Sequence, residues 1–293
     1  MTDKIPNLYK DRREEGKTSL RQCQLVQLHL LHVLDAICSK YGLRYFLGGG
    51  TLLGAMRHNG FIPWDDDIDV GMPVKDYRKF LKIARAELPE DVYLQTSDMV
   101  PERIMSFTKL RDAYSFQVES GGGIMTYRNN GIFLDVFPYY EMPGIGIALE
   151  TALAKISCNT WTYARAFRQY GRHGYWQAFV GPWVSILLLL ANKITHGLIY
   201  VLKFLFKPKN LFLDINFMFT TPYPIAAVFP VARHVFEDAE FPVPNDADTC
   251  LKNQYGEWRV IPPPEKRHVH GHIVMPFSHN GAEGTLDYKK SSA

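Results

Sequence analysis

Four aspartates within five residues, in Trp64-Asp65-Asp66-Asp67-Ile68-Asp69-Val70, constrain this chain more than any other feature. Converging carboxylates repel one another, and desolvation penalises each charge, so the segment cannot be buried unaccompanied. On extended backbone successive side chains alternate faces, so Asp67 and Asp69 point the same way and can grip one cation, with Asp65 beside them. Hard carboxylate oxygens favour Mg²⁺ or Mn²⁺, whose usual shell combines carboxylates with substrate phosphates. A calcium loop of the EF-hand type fails here: counted from Asp65, its sixth position is Val70 where glycine is needed, and its twelfth is Asp76 rather than Glu. A solvated acidic turn is the alternative reading.

The residues just upstream weigh against that alternative. Arg44 to Leu47 reads as a short strand running into Gly48-Gly49-Gly50-Thr51, after which Leu52 to Arg57 has helical composition. Glycines let the backbone approach a ligand, and the N–H groups opening the helix from Thr51 form an anion site. A phosphate cradle followed by a metal-gripping pair suits phosphoryl transfer, because metal and N–H groups must face the same phosphate. A third carboxylate, Asp135, interrupts the apolar strand Ile132-Phe133-Leu134-Asp135-Val136-Phe137-Pro138. A metal or a strand-end salt bridge would compensate it.

The stretch from Tyr45 to Met72, with Gly48-Gly-Gly-Thr-Leu-Leu-Gly-Ala-Met-Arg-His58 and Pro63-Trp-Asp-Asp-Asp-Ile-Asp69, closely resembles the signature of the LicD family. That family comprises bacterial phosphocholine transferases related to the fukutin-type ribitol-phosphate transferases. Further pieces agree in order: Phe107-Thr-Lys-Leu-Arg-Asp112, Phe133-Leu-Asp-Val-Phe-Pro138, Phe241-Pro-Val-Pro244, Tyr255-Gly-Glu-Trp-Arg259 and Pro262-Pro-Pro-Glu-Lys-Arg-His268. The resemblance implies an α/β (α+β), nucleotidyltransferase-like mixed sheet with surrounding helices. It places phosphate at Gly49, Gly50 and Thr51, the metal-binding pair at Asp67 and Asp69, and the third carboxylate at Asp135, with Asp65 and Asp66 as additional acids.

The resemblance thus implies a Mg²⁺- or Mn²⁺-dependent transferase whose metal is held by Asp67, Asp69 and Asp135, with Asp65 as a further candidate ligand and Asp135 drawing the proton from the acceptor hydroxyl. It would move phosphocholine from CDP-choline, or a related phospho-alcohol from its CDP donor, to a hydroxyl of a glycan or lipid-linked glycan, as in lipopolysaccharide or teichoic acid assembly. Rival readings are transfer of a nucleotide with release of pyrophosphate, a phosphoethanolamine, ribitol phosphate or glycerol phosphate cargo, and a membrane-surface scaffold holding only a structural ion. Arg57 either clamps a phosphate or pairs with the acidic loop, and Lys109 either neutralises a diphosphate or is an exposed strand lysine. Trp64 reads as a packing residue. His268, with Lys266 and Arg267, is expected near phosphate on a C-terminal segment folded over the site, while His268, His270 and His272 at alternate positions leave a zinc site or plain surface open. Tyr127, Tyr139 and Tyr140 are candidates for an aromatic cage around choline.

Elsewhere the sequence predicts an amphipathic helix opening at Ser19, with capping-box spacing to Gln22, and closing at Gly42; a strand over Ile68–Met72; a helix carrying Tyr77, Phe80, Leu81 and Ala84; and strands over 105–110, 114–118 and 132–137. Residues 178–191 and 198–206 are apolar, with a polar break between them. They read as a helical hairpin inside a 151–210 insertion, the first arm being too short to cross a hydrocarbon core of ~30 Å. That hairpin would either cover the sheet or rest on the inner leaflet. The prolines between 221 and 264 predict an irregular surface wrap. The expected organisation is a charged arm (1–18), one catalytic domain (19–277) and a flexible tail (278–293). A net charge of +3 gives no bulk field for nucleic acid, and Cys23, Cys38, Cys158 and Cys250 show no C-x-x-C pair. With a polar N-terminus, this argues for a cytoplasmic chain, peripheral at the inner face of the membrane.

Overall fold

The computed structural model describes residues 10–96, 107–119, 130–146, 148–153, 155, 156, 160, 164, 175–213, 222–267 and 271–277. The first long helix, α1 (Ser19–Tyr41), buries Leu30, Leu31, Leu34 and Ile37. Its N-cap is Thr18, whose hydroxyl accepts the Arg21 N–H, one residue upstream of the Ser19 expected from spacing. Gly42, at φ +59°, ends it in the left-handed conformation that glycine adopts without penalty. Strand β1 (Phe46–Leu47) leads into α2 (Gly49–His58), then β2 (Asp69–Pro73), α3 (Val74–Glu87) and β3 (Val92–Gln95). Gly49 and Gly50 lie inside the first turn of α2, with Gly48 as its N-cap, and β3 was not anticipated.

Strands β4 (Thr108–Asp112) and β5 (Phe116–Glu119) precede β6 (Phe133–Pro143), which continues well beyond the expected Phe137. It can do so because it has two sets of neighbours: β4 pairs with its first half and β7 (Pro208–Leu213) with its second. The central sheet runs β1-β2-β6-β4-β3, with β7 on the far half of β6 and β8 (Tyr223–Pro224) on β7. Among the described residues only β2 and β6 pair in parallel, which brings Asp69 opposite Asp135. The result is the expected mixed α/β sheet with helices packed on it.

Two expectations about the second half are corrected. The apolar stretch is one continuous helix, α4 (Tyr175–Leu205), and not two arms separated at 192–197. Its polar residues are satisfied locally: the Thr195 hydroxyl donates to Ala191 O at 2.9 Å, and Asn192 donates to Thr160 Oγ1 at 3.3 Å. A 23-residue span, Trp183–Leu205, with mean hydropathy 1.6, is long and apolar enough to cross a membrane, so the length limit counted on the first arm does not apply. Second, the proline-rich segment is a core element. It forms α5 (Ile225–Val228), the hairpin β9 (Ala232–Phe236) and β10 (Ala239–Val243), and α6 (Ala247–Tyr255). Val228, Phe236, Phe241, Cys250 and Leu251 join the same buried cluster as Leu30, Phe46, Leu52 and Val70. Pro224 falls where a backbone N–H is not needed, just before the first turn of α5.

The charged arm is also partly internal. Arg13 is buried, and its guanidinium pairs with Asp112 at 2.5 Å while donating to Pro276 O beside β11 (Gly271–Met275). The tail at 278–293 lies outside the described residues.

Candidate active site

The acidic segment is fixed by its neighbours on both sides. At β1 the Gly48 N–H donates to Asp69 O at 2.9 Å, and the buried Thr51 hydroxyl accepts the Asp69 N–H at 2.8 Å. Thr51 therefore holds β2 in place, a structural duty the sequence did not reveal. Gly49 has φ +50°, and a Cβ there would stand 2.7 Å from Asp69 Oδ2; at Gly50 a Cβ would stand 2.9 Å from Asp65 Oδ2. The glycines at the start of α2 thus make room for carboxylates, and the positive end of the helix faces negative charge.

Asp69 is the electrostatic centre. Burial pushes its carboxyl well above the ordinary carboxylate range, and Asp67, Asp135 and Asp65 push it further, with Lys109 opposing. The four aspartates predicted for the site are brought together. Asp135 lies opposite Asp69 on one side and opposite Lys109 on the other. Lys109 is not exposed: it is 2% exposed, and its Nζ contacts Asp135 Oδ1 at 2.7 Å and Oδ2 at 3.0 Å. The rings of Phe133 and Phe107 lie 3.5 and 5.2 Å from the same ammonium. The exposed-lysine alternative gives way to an internal counter-ion.

Among the described residues, no three His, Cys, Asp or Glu side chains stand ready as a closed metal shell. The donor set nevertheless suits a hard divalent cation. Asp65, Asp67 and Asp69 offer hard carboxylate oxygens, and the crowding that raises Asp69 is what a cation would relieve. Asp135 already faces Lys109, a strand salt bridge of the kind left open as the alternative to metal, though its partner was not legible.

Three tyrosines border the carboxylates. Tyr139 and Tyr223 stack with centroids 5.7 Å apart, and Phe46 meets Tyr139 edge-on at 5.2 Å. The Tyr223 hydroxyl donates to Gln254, whose amide donates to the Tyr255 hydroxyl at 3.3 Å. Burial raises the Tyr255 hydroxyl, with Tyr223, Asp69, Asp65 and Asp67 adding to the shift, while 42% of the residue is exposed. Tyr139 is buried in the core, and Tyr140, next to it on β6, points to the opposite face, so the two do not form one cage. Sequence reasoning missed Tyr223 and Tyr255 as site residues; Tyr255 opens the motif Tyr255-Gly-Glu-Trp-Arg259, but nothing in its spacing points to the acidic loop. Tyr127 lies outside the described residues.

Arg57, at the last turn of α2, donates to Trp258 O at 2.9 Å and Val260 O at 3.4 Å. Among the described residues no salt bridge joins it to the acidic loop. The Arg267 guanidinium lies 4.1 Å over the Trp64 ring, so the segment after Pro262 does fold onto the residue preceding Asp65. His268 and His270 lie outside the described residues.

Residues 42–168 match the family model described as LicD/FKTN/FKRP, nucleotidyltransferase domain. The chain carries a LicD-family domain. It is 27% identical over 285 residues to the lipopolysaccharide cholinephosphotransferase LicD of Haemophilus influenzae, a match covering 89% of this chain and 98% of that protein. It is also similar to the ribitol 5-phosphate transferase FKRP of mouse and human, at 31% and 30% identity over 126 residues. Those matches cover 43% of this chain and only 22% of each FKRP protein.

Proposed function

We propose that this phosphotransferase moves phosphocholine from CDP-choline to a hydroxyl of a glycan or lipid-linked glycan and releases CMP. The observation that carries the reading is the parallel pairing of β2 with β6, which sets Asp69 against Asp135 at the mouth of the glycine-opened helix α2. The relatives support transfer of a phosphorylated alcohol; CDP-choline as donor is what the family resemblance implies.

Asp67 and Asp69, with Asp65, would hold a Mg²⁺ or Mn²⁺ ion. When bound, such an ion neutralises charge on the phosphate oxygens. The first turn of α2, at Gly49, Gly50 and Thr51, directs its positive end to the same place and favours the donor's phosphate there. The acceptor oxygen attacks the phosphorus bearing the alcohol, forming one P–O bond as the bond to CMP breaks. The acceptor's proton passes to Asp135 Oδ2, the oxygen more loosely held by Lys109. Lys109 keeps that carboxylate in place against the repulsion of Asp69.

Choline is favoured as cargo by Tyr255, a half-exposed aromatic face beside three carboxylates. A quaternary ammonium donates no strong hydrogen bonds and is recognised by such faces and charges. The exposed apolar side of α4, bearing Trp183, Leu187, Ile194, Tyr200 and Phe204, would rest on the inner leaflet where a lipid-linked acceptor is presented. Ile199 and Leu202 pack against Met142 and Phe212, and Lys203 pairs with Glu141, tying the end of α4 to the sheet. This favours a helix lying in the interface over one that crosses.

The test is a panel of CDP-choline, CDP-ethanolamine, CDP-ribitol and CDP-glycerol, each with Mg²⁺ and a glycan acceptor, read as thermal shift and CMP release. CDP-choline should stabilise most and turn over fastest, and Tyr255→Ala should lower choline turnover selectively, by roughly tenfold if one cation–π contact contributes ~1–2 kcal/mol. Faster turnover with CDP-ribitol would end the choline assignment, and pyrophosphate as the product would end the transfer chemistry.

A further inference from the structure

The acidic segment has no sheet or helix to hold it between Ile62 and Ile68. Its backbone carbonyls are held instead by three buried glutamines. Gln24 on α1 donates its amide to Asp65 O at 2.9 Å. One turn further along the same helix, Gln27 donates to Asp66 O at 2.6 Å, and Gln117 on β5 reaches the same oxygen from the other side at 3.4 Å. Their exposures are 4%, 0% and 1%.

The amide orientation is forced. Exchanging oxygen and nitrogen on Gln27 or Gln117 would set a carbonyl oxygen against Asp66 O. In the orientation observed, Gln27 Oε1 and Gln117 Oε1 are both buried without a hydrogen-bond partner. An orphaned buried acceptor is a penalty that a methionine of similar volume would avoid. Two such penalties at one carbonyl indicate that holding that carbonyl matters for more than packing.

The peptide that begins at Asp66 O ends at the nitrogen of Asp67, so fixing the oxygen fixes the plane from which the Asp67 side chain departs. At the other end of the segment, Thr51 and Gly48 fix Asp69. We infer that Gln27 and Gln117 are positioning residues, which pre-set Asp67 relative to Asp69 so that the pair is organised for a divalent cation before it arrives. This rests on the metal reading proposed above.

The experiment is calorimetric titration of Mn²⁺ into the purified full chain, without donor or acceptor, at a temperature where every variant is folded. Variants are Gln27→Met and Gln117→Met, with Leu30→Ala as a control that destabilises α1 without touching the acidic segment. The Mn²⁺ dissociation constant should rise about tenfold in Gln27→Met and several-fold in Gln117→Met, and stay within twofold of the parent in Leu30→Ala. If the parent takes up Mn²⁺ and both methionine variants bind it equally well, the positioning role is wrong and the metal reading stands. If the affinity loss in Leu30→Ala matches theirs, the glutamines act only through stability. If the parent takes up no Mn²⁺, the metal reading and this inference fall together. Should Gln27→Met not fold, Gln117→Met decides alone.

Discussion

Replacing Lys109 by methionine keeps an unbranched apolar stem and removes only the ammonium. In the parent that ammonium sits within 2.7 and 3.0 Å of the two oxygens of Asp135 and 3.5 Å from the centre of the Phe133 ring. Both partners are buried, at 2% and 8% exposure, so the variant strands a carboxylate beside Asp69, already the most crowded charge in the site. Breaking a buried pair from one side costs about 3–5 kcal/mol. At ~2–4 °C per kcal/mol for a domain somewhat smaller than this one, Tm should fall by roughly 6–20 °C. Adding Asp135→Asn to Lys109→Met removes the stranded charge, so the double variant should recover most of the loss, a coupling of the size expected for contacting groups. Differential scanning calorimetry on the four proteins of the cycle measures this directly. A Tm drop below about 2 °C for Lys109→Met, or strict additivity in the double variant, would refute the internal counter-ion.

Gly49→Ala combines a positive φ with a Cβ 2.7 Å from Asp69 Oδ2, and should cost about 1–2 kcal/mol in chemical denaturation while depressing turnover more than Gly42→Ala, whose Cβ would meet open space. The pair of buried His29 and half-buried Asp91, at 3.1 Å, makes stability pH-dependent. Burial works against charge on His29, but the hydrogen bond and charge of Asp91 outweigh it and raise the imidazole above its ordinary 6.5; its contribution is complete below that value and lost as pH rises through the raised one. Asp91, held below its ordinary 3.8 chiefly by the His29 hydrogen bond, contributes above that value and loses its part as pH falls through the lowered one. The urea stability lost in Asp91→Asn should therefore be greatest between about pH 4 and 6.5 and shrink as pH rises beyond that window. In vesicle flotation with anionic lipid, the parent should float and be released by alkaline carbonate, whereas Leu187→Glu/Ile194→Glu should stay in the soluble fraction; flotation of that variant would remove α4 from the interface.

The parts of this molecule that sequence made legible are those specified locally. Period-3.6 spacing marked α1 and α3, and the alternation Asp67-Ile68-Asp69 marked a strand start with a charged face. Pairings between distant segments were not legible. Nothing in Phe107-Thr-Lys109 shows that Lys109 lies opposite Asp135, because that follows from β4 pairing with β6. Tyr223 and Tyr255 reach the acidic cluster only because the proline-rich segment folds into the core, against the expectation that prolines mark surface. Residues 192–197 looked like a helix break because they are polar, but Thr195 bonds back to its own helix and Asn192 to Thr160, so α4 continues.

If the crowded aspartates on β2 and β6 drive metal-dependent transfer from a CDP-activated donor, Asp69 is where the chemistry must fail first. The most direct measurement is CMP release from CDP-choline by Asp69→Asn, with saturating Mn²⁺ and a glycan acceptor, beside the parent. Removing a charge that its neighbours repel cannot by itself unfold the site, so the variant should keep or raise its Tm while losing activity by a thousandfold or more, about 4 kcal/mol of transition-state stabilisation. CMP release within tenfold of the parent, from a protein equally well folded, would contradict the account.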